Sequence, residues 1–174
     1  MTHAIVPLAI AAAAGRGRIS ARLAITGAAF AMLPDADVIG FALGIEYADT
    51  WGHRGATHGL AFAAICAAIL SALWKEARSI GAFLFLTFAM ASHGLLDTLT
   101  SGGLGAALFW PFDNSRIFAP YTPVRVSPIG ADFFSARGIT TLLSEARWIW
   151  LPCIALALTG WGFRKGLRKV GRTR

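Results

Sequence analysis

Five long apolar stretches, separated by short polar breaks, dominate this chain of 174 residues. They cover residues 3–14, 19–33, 59–74, 80–98 and 146–163. Charged residues make up only 14% of the sequence, whereas soluble domains carry about a quarter. An apolar segment of about 20 residues crosses a bilayer as a helix. The pattern therefore predicts an all-α membrane helix bundle of about five helices, in one domain over residues 1–174.

The stretches differ in length, and their limits carry further predictions. The third, fourth and fifth approach the length of a spanning helix, whereas the first two are shorter. Pro34 is predicted to end the second helix, because the residue before a proline disfavours the helical conformation. Residues 100–145 are rich in glycine, proline and aromatic residues, which predicts an irregular segment at the outer membrane surface.

The basic residues predict the orientation. If every stretch crosses, turns 15–22 and 75–78 and the basic tail 164–174 share one side, and the positive-inside rule makes that side cytoplasmic. This side then holds 11 of the 16 Lys and Arg residues: Arg16, Arg18, Arg22, Lys75, Arg78, Arg164, Lys165, Arg168, Lys169, Arg172 and Arg174. Because these cations flank apolar runs, the net charge of +7 indicates membrane topology and lipid contact, and no nucleic-acid partner is expected.

The same topology places the chemically active residues at the opposite, outer end. All four histidines and eight of the nine acidic residues fall there, Glu76 being the exception. Imidazole is the commonest metal ligand near neutral pH. Because the topology was deduced without reference to histidine, this gathering independently predicts a metal site at the outer end.

Three motifs and one isolated histidine supply the candidate ligands. Residues 33–37 (LPDAD) bring two carboxylates, residues 53–58 (HRGATH) two imidazoles, and residues 93–97 (HGLLD) a His and an Asp on one helical face. An ionised Asp within the bilayer costs about 2.5–3.5 kcal/mol, so a functional role is its default interpretation. The candidates are His3, Asp35, Asp37, His53, His58, His93 and Asp97. Each motif also has a plain alternative: a polar helix terminus, an interfacial turn, or a His–Asp pair that packs helices.

The donor set favours zinc, with manganese or iron as alternatives. Seven candidates exceed one tetrahedral shell, so the chain holds either two or more ions or one ion with supporting residues. Asp35 or Asp37 would bridge metals or act as a base, and Arg54 would pair with a phosphate oxygen. The sequence contains no HExxH and no GxSxG, which disfavours a zincin protease and a serine hydrolase of that type. Cys66 and Cys153 lie inside apolar runs and are interpreted as small buried hydrophobes.

The order of these motifs resembles the YdjM-type family of inner-membrane metal-dependent hydrolases, sometimes described as LexA-binding. The resemblance covers most of the chain, and it is carried by His3 and residues 33–37, 53–58, 92–103 (SHGLLDTLTSGG) and 110–112 (WPF). The family is thought to be similar to zinc-dependent phospholipase C and related zinc nucleases, helical proteins that bind a metal cluster through His and Asp. The resemblance implies an inner-membrane location. The ligands it implies are His3, Asp35 or Asp37, His53 or His58, His93 and Asp97.

The sequence therefore predicts a membrane-bound hydrolase of phosphoester bonds in a lipid-like substrate, with a phospholipase-like metal site near headgroup depth. The competing interpretation is a non-enzymatic metal-binding membrane protein, such as a sensor, scaffold or transporter. A transporter would carry polar residues along a whole pathway, whereas the inner halves of the helices, for example residues 62–73, are almost purely apolar. Lipid phosphatases with a phosphohistidine intermediate also use HxxxD, but the upstream signatures of that class are missing here.

Overall fold

Helices and turns make up the protein throughout the residues that the computed structural model describes, 2–128 and 133–170. The α-helices are α1 (Ile5–Ala14), α2 (Ala21–Met32), α3 (Ile39–Ala42), α4 (Leu60–Leu73), α5 (Ile80–Thr98), α6 (Ala136–Glu145) and α7 (Leu151–Val170). A 3-10 turn, Leu33–Val38, joins α2 to α3, and a π-turn, Ala146–Trp150, joins α6 to α7, so these helices form five rods. Within the described ranges, β-structure is limited to two isolated bridges, and the predicted all-α class is confirmed.

Three rods are long and apolar enough to cross a membrane: Ala21–Ala42, Ile80–Thr98 and Ala136–Leu167, of 22, 19 and 32 residues. The other two are shorter. Helices α1 and α4 have 10 and 14 residues, or about 15 and 21 Å at 1.5 Å per residue. Both start close to the histidines, so these two rods run from the histidine end toward the basic end without filling the bilayer thickness.

The second and third helices end within one residue of their predicted limits, but the lengths of the two rods differ from expectation. Helix α2 ends at Met32, directly before Pro34 as predicted, but the chain continues into a 3-10 segment, in whose first turn the missing N–H of Pro34 is not needed. The second stretch thereby becomes a long rod. The third stretch, residues 59–74, forms α4 within one residue of its predicted limits, but its 14 residues make it shorter than a spanning helix.

The segment 100–145 also differs from its prediction. Residues 100–128 form turns and bends, but Ala136–Glu145 forms α6, which continues into the fifth rod. In α6, Leu142 and Leu143 lie among polar residues, so the mean hydropathy of this segment is low. The low mean hides the fact that the helix has one apolar side. The fifth rod consequently begins ten residues earlier than the apolar stretch indicated.

Small residues allow the rods to pack closely. Helix α1 packs between α7 and α2, α2 packs on α5, and α5 packs on α4. Leu23, Ala67, Ala82, Phe85 and Leu86 form a buried cluster between α2, α4 and α5. Gly27 faces the ring of Phe85 and Gly160 faces the backbone of Ala13, at distances that leave no room for a side chain. Close backbone approach at such residues is a common means of packing membrane helices.

The two ends of the bundle separate as the sequence predicts. At one end the Ser20 hydroxyl donates a hydrogen bond to Glu76, which joins turns 15–22 and 75–78. Arg164 reaches the carbonyl of Ala13 at the same end. The opposite end gathers all four histidines. Arg172 and Arg174 of the predicted basic tail lie outside the described residues.

Candidate metal centre

Four of the five rods, or the connections that enter them, bring the predicted ligands together. His3 directly precedes α1, Asp35 and Asp37 lie on the 3-10 turn after α2, and His93 and Asp97 lie on the last turns of α5. His53 and His58 lie in the connection that leads into α4. The ligand atoms form three overlapping groups, each with atoms within 4.8 Å of one another: His3–Asp35–His93, Asp35–His53–His58 and His58–His93–Asp97.

His93 is completely buried, and its two ring nitrogens have different surroundings. Nδ1 donates a hydrogen bond to the carbonyl of Ala31 on α2, at 2.7 Å. Nε2 lies 3.3 Å from Asp35 Oδ1 and 3.7 Å from Asp97 Oδ2, with no hydrogen-bond partner among the described residues. A backbone carbonyl that holds the proton on Nδ1 leaves the Nε2 lone pair available, as metal-binding histidines require.

His58 is held in a similar way by carboxylates. Nδ1 lies 3.0 Å from the Thr57 hydroxyl and 3.3 Å from Asp37 Oδ2, and Nε2 lies 3.4 Å from Asp97 Oδ2. Burial by itself lowers the pKa of His58, but the attraction of the nearby Asp37 and Asp97 carboxylates outweighs it, so the pKa is raised above its ordinary value. These two carboxylates therefore attract a positive charge to this ring.

His3 completes the imidazole cluster. Its ring stacks on His93 with centroids 3.6 Å apart, and its Nε2 lies 3.7 Å from Asp97 Oδ1. Within the described part of the chain, His3 Nδ1, His58 Nε2 and His93 Nε2 are buried without a hydrogen-bond partner. A buried polar group that lacks a partner costs about 1–3 kcal/mol. Two of these nitrogens, His58 Nε2 and His93 Nε2, lie beside the carboxylates of Asp97 and Asp35, an arrangement that could hold a metal ion.

Asp37 has a different position from Asp35, although the sequence treats the two alike. Its oxygens accept hydrogen bonds from His53 Nδ1 at 2.7 Å, Thr57 Oγ1 at 2.8 Å and the Arg54 N–H at 3.1 Å. It belongs to none of the three groups, whereas Asp35 belongs to two. Asp37 thus lies behind the imidazoles and orients them, an arrangement that tunes many metal sites.

Arg54 is buried and faces Asp97. Its Nε lies 3.0 Å from Asp97 Oδ2, and Nη1 donates to the Thr100 hydroxyl at 2.9 Å and the Gly102 carbonyl at 3.0 Å. Its backbone φ of 65° is uncommon for a residue with a side chain. The guanidinium therefore anchors the end of α5 and the following turn, in addition to lining the cleft beside the histidines.

Two adjoining clefts open at this cluster. The first, about 240 Å³, is polar and is lined by His3, Asp35, Asp97, Arg54 and Arg125, among others. The second, about 530 Å³, shares His3 and Asp35 with it and is otherwise lined mainly by Phe133, Phe134, Leu142 and Trp150. A polar cleft that continues into an apolar one suits an amphiphilic molecule.

Sequence reasoning missed the contribution of the fifth rod. Glu145, at the end of α6, lines both clefts and accepts a hydrogen bond from the Thr2 hydroxyl. Trp150 Nε1 donates to the same hydroxyl at 3.1 Å. A signal was present, because Glu145 is an acidic residue directly before a long apolar stretch. Glu145 was not assigned to the site because residues 100–145 were expected to be irregular.

Comparison with known proteins adds a relationship that covers nearly the whole chain. The family described as YdjM inner membrane protein matches residues 1–168. Inner membrane protein YbcI of Escherichia coli (strain K12) is 39% identical over 169 residues, which cover 95% of this chain and 98% of that protein. No solved structure matches the chain.

Proposed function

Because the chain belongs to the YdjM family of inner membrane proteins, we propose that it is a membrane-bound metal-dependent hydrolase of phosphoester bonds in a lipid-like substrate. One observation carries the proposal. The buried Nε2 atoms of His58 and His93 have no hydrogen-bond partner among the described residues, and they lie beside the carboxylates of Asp97 and Asp35. Such an arrangement is costly for folding and is typical of a metal site.

The residues that would hold metal are those of the three overlapping groups: His3, Asp35, His53, His58, His93 and Asp97. Six ligands exceed one tetrahedral shell, so two or more ions are accommodated, with zinc favoured over manganese or iron. A bound metal ion lowers the pKa of water and polarises a phosphoryl oxygen. Asp37 takes the role of orienting His53 and His58 in this proposal.

Protein side chains supply the remaining chemistry. Asp35 has 47% of its side chain exposed in the cleft, whereas Asp97 has 5%, so Asp35 is the carboxylate that water reaches. Asp35 is therefore the proposed acceptor of a proton from the attacking water. Arg54 and Arg125 line the same cleft and place positive charge where phosphate oxygens would lie.

The apolar cleft supports the lipid-like character of the substrate. Phe133, Phe134, Leu142 and Trp150 provide a hydrocarbon surface next to His3 and Asp35. Membrane lipid is thus both the solvent of the helices and the proposed source of the substrate. From the positive-inside rule, we further propose that the histidine end faces the periplasm.

The test is a matched pair of substrates offered to the purified protein in detergent. One is a phospholipid, and the other is its glycerophospho headgroup without acyl chains. We expect hydrolysis that stops with a chelator, returns with zinc or manganese, and favours the acylated substrate at least tenfold, on the order of 1.4 kcal/mol. Asp35→Asn should remove turnover, and Asp113→Asn, on the exposed surface, should not.

Two results would count against the proposal. Stoichiometric metal with no hydrolysis of any phosphoester in a broad screen would favour a non-enzymatic metal-binding protein. Equal turnover of the two substrates would retain the hydrolase and remove its lipid-like substrate.

A further inference from the structure

The basic end of the bundle contains a pocket where α1 meets α7. Gly160 lies so close to α1 that a Cβ there would be 2.7 Å from the Cα of Ala13. Gly15 then turns the chain away with a φ of 82°, and Arg164 folds over this turn to donate a hydrogen bond to the Ala13 carbonyl. The tight crossing and the turn leave a cavity of about 390 Å³ lined by Gly15, Arg16, Trp161, Arg164 and Lys165.

The charge of this pocket is uncompensated within the described residues. Its charged lining residues are all cations: Arg16, Arg164 and Lys165. The one acidic residue near this end, Glu76, is engaged by Ser20. The ammonium of Lys165 lies 4.9 Å from the centre of the Trp161 ring, a cation–π contact that leaves its charge in place. Three like charges around one cavity repel one another, so the pocket favours an anion.

We propose that this pocket binds the phosphate of an anionic phospholipid at the basic end of the bundle. The surrounding surface favours a lipid over a free anion. Trp161, Phe163 and Leu167 on α7 are 54%, 70% and 58% exposed, and they offer apolar surface to acyl chains beside the cations. Basic pockets between membrane helices bind acidic lipid headgroups, and Trp anchors such interfaces. The bound phosphate would hold the end of the short α1 against α7.

This site is separate from the histidine cluster, so its test requires no hydrolytic activity. The protein in detergent is titrated with phosphatidylglycerol or, in a parallel series, zwitterionic phosphatidylcholine, and bound lipid is counted by native mass spectrometry. Each cation near a membrane surface contributes about fivefold in affinity, so Arg16→Gln with Lys165→Gln should weaken phosphatidylglycerol binding on the order of 25-fold. Arg164 is left intact because it also contacts α1.

The matched control is Arg18→Gln with Arg22→Gln, which removes the same charge from the same end outside the pocket. It should change binding less than threefold. Arg16→Lys with Lys165→Arg should retain binding and shows that the pocket still folds. An equal loss in the control pair, or no loss in the pocket pair, would overturn the site. Displacement of the lipid by millimolar inorganic phosphate would overturn the choice of a lipid as its ligand.

Discussion

The two ends of this bundle handle charge in opposite ways. At the histidine end, His58, His93 and Asp97 are buried, and a carboxylate lies within 4 Å of each of the four imidazoles. At the basic end, Arg16 and Lys165 surround a pocket that no described carboxylate lines. A buried charge must find its partner within the protein, whereas a charge at the bilayer surface finds water or lipid phosphate. The histidine end could therefore hold a small ion within the protein, whereas the cations of the basic end face their surroundings.

The backbone also differs between the histidine end and the basic end. The basic end uses short turns between helix ends, such as Lys75–Ala77. The histidine end uses the 3-10 turn Leu33–Val38, the connection before α4 and residues 100–128. Irregular backbone can direct polar groups toward one site from several directions, which a set of straight packed helices does not do. The following predictions test this division, from the largest expected effect to the smallest.

The first prediction concerns which end faces outward, and its readout is all or none. In a background with Cys66→Ala and Cys153→Ala, Asp113→Cys at the histidine end should react with an impermeant thiol reagent in intact cells. Lys75→Cys at the basic end should react only after the membrane is opened, because 11 basic residues belong to that side. The reverse pattern would invert the proposed orientation.

Removal of a ligand should abolish metal binding. We expect His58→Ala, His93→Ala and Asp97→Ala each to purify with little zinc, because their atoms form one group within 4.8 Å. Ser92→Ala is the matched control, because the hydroxyl of this buried neighbour of His93 donates to the Ala89 carbonyl of its own helix. Elemental mass spectrometry measures the content. Full occupancy in all three variants would disprove the assignment.

Arg54→Lys should keep the metal and the fold but lower turnover by about 100-fold. Lysine retains the charge beside Asp97, but it cannot also replace the paired hydrogen bonds to Thr100 and Gly102 or present a planar fork to phosphate. Arg78→Lys, on the exposed surface of the basic end and outside both clefts, is the control and should leave turnover unchanged. Turnover of a phosphoester and zinc content are measured together. Unchanged turnover would remove Arg54 from the catalytic residues and leave the metal site intact.

Asp37→Asn should weaken metal binding by about 10- to 100-fold without abolishing it. The amide would place an NH2 where an oxygen now accepts from His53, Arg54 or Thr57, so the imidazoles would lose their fixed orientation. Competition with a chelating dye measures the affinity. Asp49→Asn, on the exposed surface, should match the unmodified protein. A complete loss of metal would instead make Asp37 a direct ligand.

The smallest effect concerns packing at the basic end. Gly160→Ala places a methyl group against the backbone of Ala13 and should lower the free energy of unfolding by about 1–3 kcal/mol. Gly162→Ala meets nothing within 4 Å and should instead gain up to about 1 kcal/mol of helix propensity. Thermal unfolding in detergent compares the pair. Equal midpoints of thermal unfolding for the two variants would show that α1 and α7 separate readily where they cross.

The sequence by itself determined the class, the topology and the members of the cluster. Scarcity of charge requires helices in lipid, because every backbone group there must bond within its own segment. The spacing of basic residues then assigns the turns to ends, and an antiparallel bundle brings His3, His53, His58 and His93 to one end. These conclusions depend only on composition and on the length of a helix.

Only the tertiary structure decided the roles within that cluster. Asp35 and Asp37 are two residues apart, and a 3-10 turn directs one toward the cleft and the other behind the imidazoles. Arg54 faces Asp97 because residues 100–102 fold back on it, and Glu145 reaches the clefts because α6 continues the fifth rod. Such outcomes depend on contacts between residues distant in sequence, which local propensity and hydropathy do not encode.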